Sequence, residues 1–168
     1  FEFDQAVALS KYSGYKVVYM SVDARSIRRK RKWGVTVEKY SESLTVYNFN
    51  APIGNIPKSI FDYLYSSLVK RFFKFIVKSE QSMPMIAHSH FFHISKYYLF
   101  LKNQFKIPLV VTEHFSGLNK LNLEPQVLTE GKLIYSIADS VIAVSEELAN
   151  SIKKNFGVSP NVIGNLFD

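Results

Sequence analysis

The 168-residue sequence has no cysteine, which excludes disulfides and thiolate metal sites and suits a reducing compartment. No apolar run approaches the roughly 18 residues that a membrane-spanning helix needs. Three glycine-dependent signatures are missing as well. There is no Gly-x-Gly-x-x-Gly and no phosphate-loop Gly-Lys-Ser/Thr, so a nicotinamide or ATP site is not written in this chain. There is no Gly-x-Ser-x-Gly elbow, which argues against a serine hydrolase. Internal repeats and low-complexity tracts are also lacking.

What is present is a globular composition. Hydrophobic residues make up 47% and aromatics 15%, enough for a chain that folds around its own core. A domain near this length buries roughly 70% of the surface its unfolded chain exposes, so the core needs no covalent staples. The length suits one domain, 1–168. The chain opens on Phe1 in a helical-looking stretch and stops at Asp168 just after a short strand. We therefore expect a piece of a longer protein. Its net charge of +7 is concentrated: Arg25, Arg28, Arg29, Lys30, Arg31 and Lys32 fall close together, followed by Trp33. Such a cluster fits an anionic partner (nucleic acid, phosphate or acidic lipid), and equally a solvated loop.

Residues 1–12 read as a helix closed by Gly14, and 16–22 as a buried strand ended by Asp23. The alternation at 35–38 and 44–47, with Ser41-Glu42-Ser43 between, predicts a hairpin or an edge strand with a return. Residues 51–55 carry Pro and Gly and break the pattern. Pro57 then opens a helix in which Ile60, Leu64, Leu68, Phe72 and Ile76 recur every four residues. Lys58, Lys70, Arg71, Lys74 and Lys78 make the same helix basic. A membrane-surface helix and a core helix both fit, and the width of the apolar stripe favours the core.

From Met83 onward the pattern becomes three strand–helix units. Strands at 85–87, 109–111 and 141–144 lead to helices near 93–104, 125–137 and 146–155, with a short strand at 161–163. Ser145 suits the N-cap of the third helix, Glu146 and Glu147 its positive end, and Lys153, Lys154 and Gly157 its C-terminus. Strands alternating with helices predict a parallel sheet with right-handed crossovers. The expected fold class is α/β: a Rossmann-like three-layer α/β/α sandwich with a mainly parallel sheet, plus an antiparallel excursion near 35–49.

A parallel sheet gathers the carboxyl ends of its strands along one edge, where ligands bind. Here those ends carry His88-Ser89-His90, then Thr112-Glu113-His114-Phe115-Ser116-Gly117, then Ser145-Glu146-Glu147. His88, His90 and the nearby His93 raise the possibility of a zinc site and hence of a metal-dependent hydrolase. Against it, no neighbouring Asp or Cys completes a ligand set, and Glu113 alternates away from the face of His114. His114 at a strand end reads either as a hydrogen-bonded structural residue or as a group that handles a sugar hydroxyl. Gly117 would let backbone N–H groups approach an anion closely. A noncatalytic basic module for anionic lipid or nucleic acid is the third reading.

Four segments resemble the retaining glycosyltransferases of family 4. They are Met85-Ile86-Ala87-His88-Ser89-His90; Lys106-Ile107-Pro108-Leu109-Val110-Val111-Thr112-Glu113-His114; Ala138-Asp139-Ser140-Val141-Ile142-Ala143-Val144-Ser145-Glu146; and Asn161-Val162-Ile163-Gly164-Asn165-Leu166-Phe167-Asp168. In the last, Gly164 stands where the family usually has Pro. Residues 1–22 also fit the family's first helix and second strand, while 24–80 match loosely. The resemblance implies a two-domain GT-B enzyme, of which this chain would be the N-terminal, acceptor-side domain without its first strand. The C-terminal donor domain, with an Arg/Lys pair and a Glu-x7-Glu motif, is expected elsewhere, since no glutamates here stand eight apart. By position, His114 matches the family histidine near the transferred sugar, in an orienting and charge-stabilising role. His90, Ser116 and Gly117 would line the acceptor side. The implied partners are a nucleotide-sugar donor, as substrate rather than cofactor, and a glycan or lipid-linked acceptor. No cofactor and no metal is expected in this domain, nor a nucleic-acid partner, and the fragment alone would be inactive. The basic segment 25–33 and the helix at 57–79 suit peripheral contact with an anionic membrane from the cytoplasmic side.

Overall fold

The structure, a computed structural model, describes residues 2–12, 14–26, 33–120 and 122–164. Residues 28–32 of the basic cluster and the 165–168 ending therefore lie outside the described residues. The chain divides into two compact units, Phe1–Gln81 and Ser82–Asp168. The α/β class and its Rossmann-like strand–helix alternation hold, and four of the five described strand pairings are parallel.

In the first unit, helix α1 (Glu2–Ser10) precedes strands β1 (Val17–Ser26), β2 (Gly34–Lys39) and β3 (Leu44–Gly54), and helix α2 (Lys58–Glu80) follows. The sheet order is β1-β3-β2, with β1 parallel and β2 antiparallel to the central β3. The antiparallel excursion expected near 35–49 is thus present. Two strands outrun their expected ends. β1 continues past Asp23, and β3 runs through residues 51–54, where Pro and Gly predict a break. The pairing explains both. β2 leaves β3 at Asn50, so Pro52 sits where the β2 side no longer needs its missing N–H. Beyond that point β1 and β3 still pair with each other, Ala24 against Ala51 and Ser26 against Gly54.

The α2 stripe buries Phe72 and Ile76 against Tyr47, Met20, Val22 and Phe49. The Tyr65 hydroxyl donates to the Val22 carbonyl at 2.9 Å. At the far end Glu80 accepts from the Tyr47 hydroxyl at 2.6 Å and pairs with Lys16. Ile60 and Tyr63 remain exposed, so the packed face turns away from the helix's first turns. No described helix is long and apolar enough to cross a membrane.

The second unit contains strands β4 (Ala87–His90), β5 (Leu109–Glu113), β6 (Ser140–Ala143) and β7 (Asn161–Val162), all parallel and in that order. The helix expected near 93–104 is broken into α3 (Phe92–Ser95), a 3-10 turn (Lys96–Tyr98) and α4 (Leu99–Phe105). Helices α5 (Pro125–Ile137) and α6 (Glu146–Phe156) follow. Met85 and Ile86, expected in the first of these strands, are exposed and precede it. One face of β5 and β6 supplies Leu109, Val111, Val141 and Ala143 to a core with Phe92, Leu118, Ile134, Tyr135, Leu148 and Ile152. Asp139 ties the edge of this core: its carboxylate accepts from Leu109 N at 2.8 Å and from Lys102 Nζ at 2.6 Å. Those bonds, Lys102 first, hold its pKa below the usual carboxylate range. Ser145 caps α6 by accepting from Leu148 N, and Gly157 closes it at φ 73°.

Candidate functional site

The carboxyl ends of β4 and β5 meet at one rim. Parallel register sets His88 beside Val110 and His90 beside Thr112. Since side chains alternate along a strand, His88, His90, Thr112 and His114 share one face of the sheet, and Ser89, Val111 and Glu113 share the other. The first face carries a stack of imidazoles. The ring centroids of His88 and His90 are 4.6 Å apart at 22°, and those of His90 and His114 are 5.3 Å apart at 27°. His90 Nδ1 lies 3.0 Å from His114 Nε2, a hydrogen bond in which one ring carries the proton. His88 Nε2 lies 2.6 Å from Thr112 Oγ1.

Crowding three bases limits the positive charge they can hold together. Desolvation first, and then the charges of His88 and His114, push His90 down to about 3. His88 is lowered by desolvation and by His114. His88 is exposed, whereas His90 is half-buried. At neutral pH this rim therefore offers a neutral imidazole beside His114.

The opposite face holds a residue whose role the sequence did not disclose. Glu113 is fully buried at the carboxyl end of β5. Its Oε1 accepts from His114 N at 3.0 Å and from Phe115 N at 2.8 Å. Its Oε2 accepts from Phe92 N at 3.0 Å and from the Tyr135 hydroxyl at 2.8 Å. Burial of Tyr135 and the adjacent Glu113 drive the tyrosine pKa far up. Between His90 and Phe92 the chain passes through Phe91 at φ 63°, ψ 126°. A non-glycine residue there stores about 1–3 kcal/mol of strain and persists only where its surroundings over-determine it. The adjacent donors do so, with Phe91 N bonded to the Thr112 carbonyl at 2.9 Å and Phe92 N bonded to Glu113.

The sequence profile of Glycosyltransferase Family 4 matches residues 7–168. This chain belongs to that family. Comparison with curated proteins gives no match.

Within this Family 4 domain, the other candidates fall around the same rim with different partners. Ser116 and Gly117 lie in the 3-10 turn after His114 (Ser116–Asn119), Ser116 exposed and Gly117 half-buried. A Cβ at Gly117 would run into the Phe115 ring, so glycine there permits the ring's close approach. His93 does not join His88 and His90. Its Nδ1 lies 3.5 Å from Glu130 Oε2, and Lys96 Nζ reaches Glu130 Oε1 at 3.2 Å. Burial opposes ionisation of Glu130, but bonds from Gln126, Lys96 and His93 bring its pKa below the usual range. Among the described residues no group of three or more His, Asp or Glu side chains is arranged to hold a metal ion. Of the ring nitrogens, His88 Nε2 is engaged by Thr112, and His90 Nδ1 and His114 Nε2 by each other. Ser145 is accounted for by capping α6.

Proposed function

We propose that this Family 4 domain is the acceptor-side half of a two-domain enzyme that transfers a sugar from a nucleotide-sugar donor to a glycan or lipid-linked acceptor, with retention at the anomeric carbon. The observation that carries the reading is the 3.0 Å contact between His90 and His114 at the carboxyl edge of a parallel sheet, where α/β folds bind ligands. In this reading His114 orients the transferred sugar and stabilises charge developing on it. His90 fixes the rotation of the His114 ring, since a hydrogen bond at one ring nitrogen decides what the other nitrogen can do. The exposed Ser116 hydroxyl and the backbone at Gly117 offer donors and acceptors to the acceptor's hydroxyl groups. In this scheme the nucleotide-sugar is a substrate rather than a cofactor. The donor half lies on another domain, so the fragment alone does not turn over. Segment 25–33, with its five-residue basic run, supports peripheral contact with anionic lipid on the cytoplasmic side.

The test is a sugar-transfer assay on the full-length parent protein with a panel of nucleotide-sugar donors, repeated with His114→Ala. We expect kcat to fall by about 10²- to 10³-fold, the size of losing one preorganised electrostatic group. Undiminished turnover in H114A would remove His114 from the mechanism.

A further inference from the structure

We propose that Glu113 is a positioning residue that holds His90 and His114 together, an assignment that rests on the reading of His114 given above. The carboxylate points into the core and never reaches the sugar-facing side of the sheet, so its action runs through the backbone. An apolar side chain would serve the core better at this position, beside Leu109 and Val111 on the same strand face. What the carboxylate adds is four acceptances from three separate elements. They come from the start of α3 (Phe92 N), the loop after β5 (His114 N and Phe115 N) and α5 (Tyr135 hydroxyl).

His90 ends β4 two residues before Phe92, and His114 opens the loop after β5. His90 precedes the strained Phe91, and Phe92 N–H is one of the bonds that keeps that turn in its positive-φ conformation. Without the acceptor, Phe91 is free to relax, and His90 then swings away from His114. Glutamine cannot replace the carboxylate. Its single oxygen satisfies at most two of the four donors, and its NH2 would face the others. Tyr135 braces the carboxylate from behind and is itself buried.

The test uses the full-length parent protein with 15N-labelled histidine. The direct readout is the scalar coupling across the N–H···N bond between His90 Nδ1 and His114 Nε2, which needs no activity. We expect the coupling in the wild type and its loss in Glu113→Gln, with circular dichroism unchanged. In the assay, E113Q should lower kcat by about 10²-fold, as displacement of a reacting group by about 1 Å does. Added to H114A it should change the remaining activity by less than about twofold, because two changes acting through one group do not add. Coupling retained in folded E113Q overturns the proposal whatever the activity. So does E113Q with wild-type turnover alongside an inactive H114A, or additive losses in the double variant. If E113Q does not fold, Glu113→Asp, which keeps the charge and withdraws it by one methylene, is judged by the same criteria. A fully active H114A would defeat the reading of His114, while the coupling would still decide whether Glu113 holds the pair.

Discussion

His90 shows how packing sets the chemistry of a single side chain. In an unfolded chain it titrates near the free-imidazole value of about 6.5. In the folded chain desolvation and its neighbours push it down to about 3. Between those values the unfolded state binds a proton that the folded state refuses, so stability rises with pH across this window. The contribution is intact above about pH 6.5 and is lost as pH falls toward 3. His88, shifted in the same direction, adds to it. Urea unfolding at about pH 7 and about pH 4.5 should therefore show a smaller acid-induced loss for His90→Asn than for the wild type. Equal losses in the two proteins would count against the stack. At the same scale Glu113 marks the limit of local reading. Strand alternation correctly set it on the face away from His114, but its partners Phe92 and Tyr135 lie 21 and 22 residues away. No spacing rule connects them.

At the scale of elements, α6 was the best-marked segment of the chain, and every mark is local. Ser145 accepts from Leu148 N, and Gly157 takes a left-handed conformation no other residue adopts as cheaply. Ser145→Ala should cost about 1 kcal/mol of stability, and Gly157→Ala a similar amount, about 1 kcal/mol, both read as lower urea midpoints. Neither residue belongs to the histidine rim, so turnover per folded molecule should be unchanged. The less legible elements depend on neighbours. β3 runs through Pro52 because β2 has already ended at Asn50. The helix after His90 breaks into three pieces, in a stretch where Phe92, Tyr97 and Phe100 are buried. His93, grouped by sequence with His88 and His90, is drawn to Glu130 on α5 instead.

At the scale of the whole molecule, a charge of +7 is a property of the surface field rather than of the fold. The proposed membrane contact predicts co-sedimentation with vesicles containing anionic lipid, weakening as salt rises, and little with zwitterionic vesicles. Replacing Arg28, Arg29, Lys30, Arg31 and Lys32 with Ser should remove about 1 kcal/mol of binding per residue that sits at the surface. Equal binding to both vesicle types would reject an electrostatic contact.

The order of elements, the parallel units after residue 82, the caps of α6 and the place of His90 and His114 at strand ends all followed from the amino-acid sequence, while the roles proposed for those two histidines came from the family resemblance. They depend on periodicity and on contacts within a few positions, which the chain carries in its own order. Only the tertiary structure decided that the imidazoles of His88, His90 and His114 stack, that His93 stands apart, and that a buried Glu113 joins the two site loops. Those outcomes arise from groups some 20 to 40 residues apart competing for the same donors and the same space, and that competition is settled only when the sheet and its helices close on a common core.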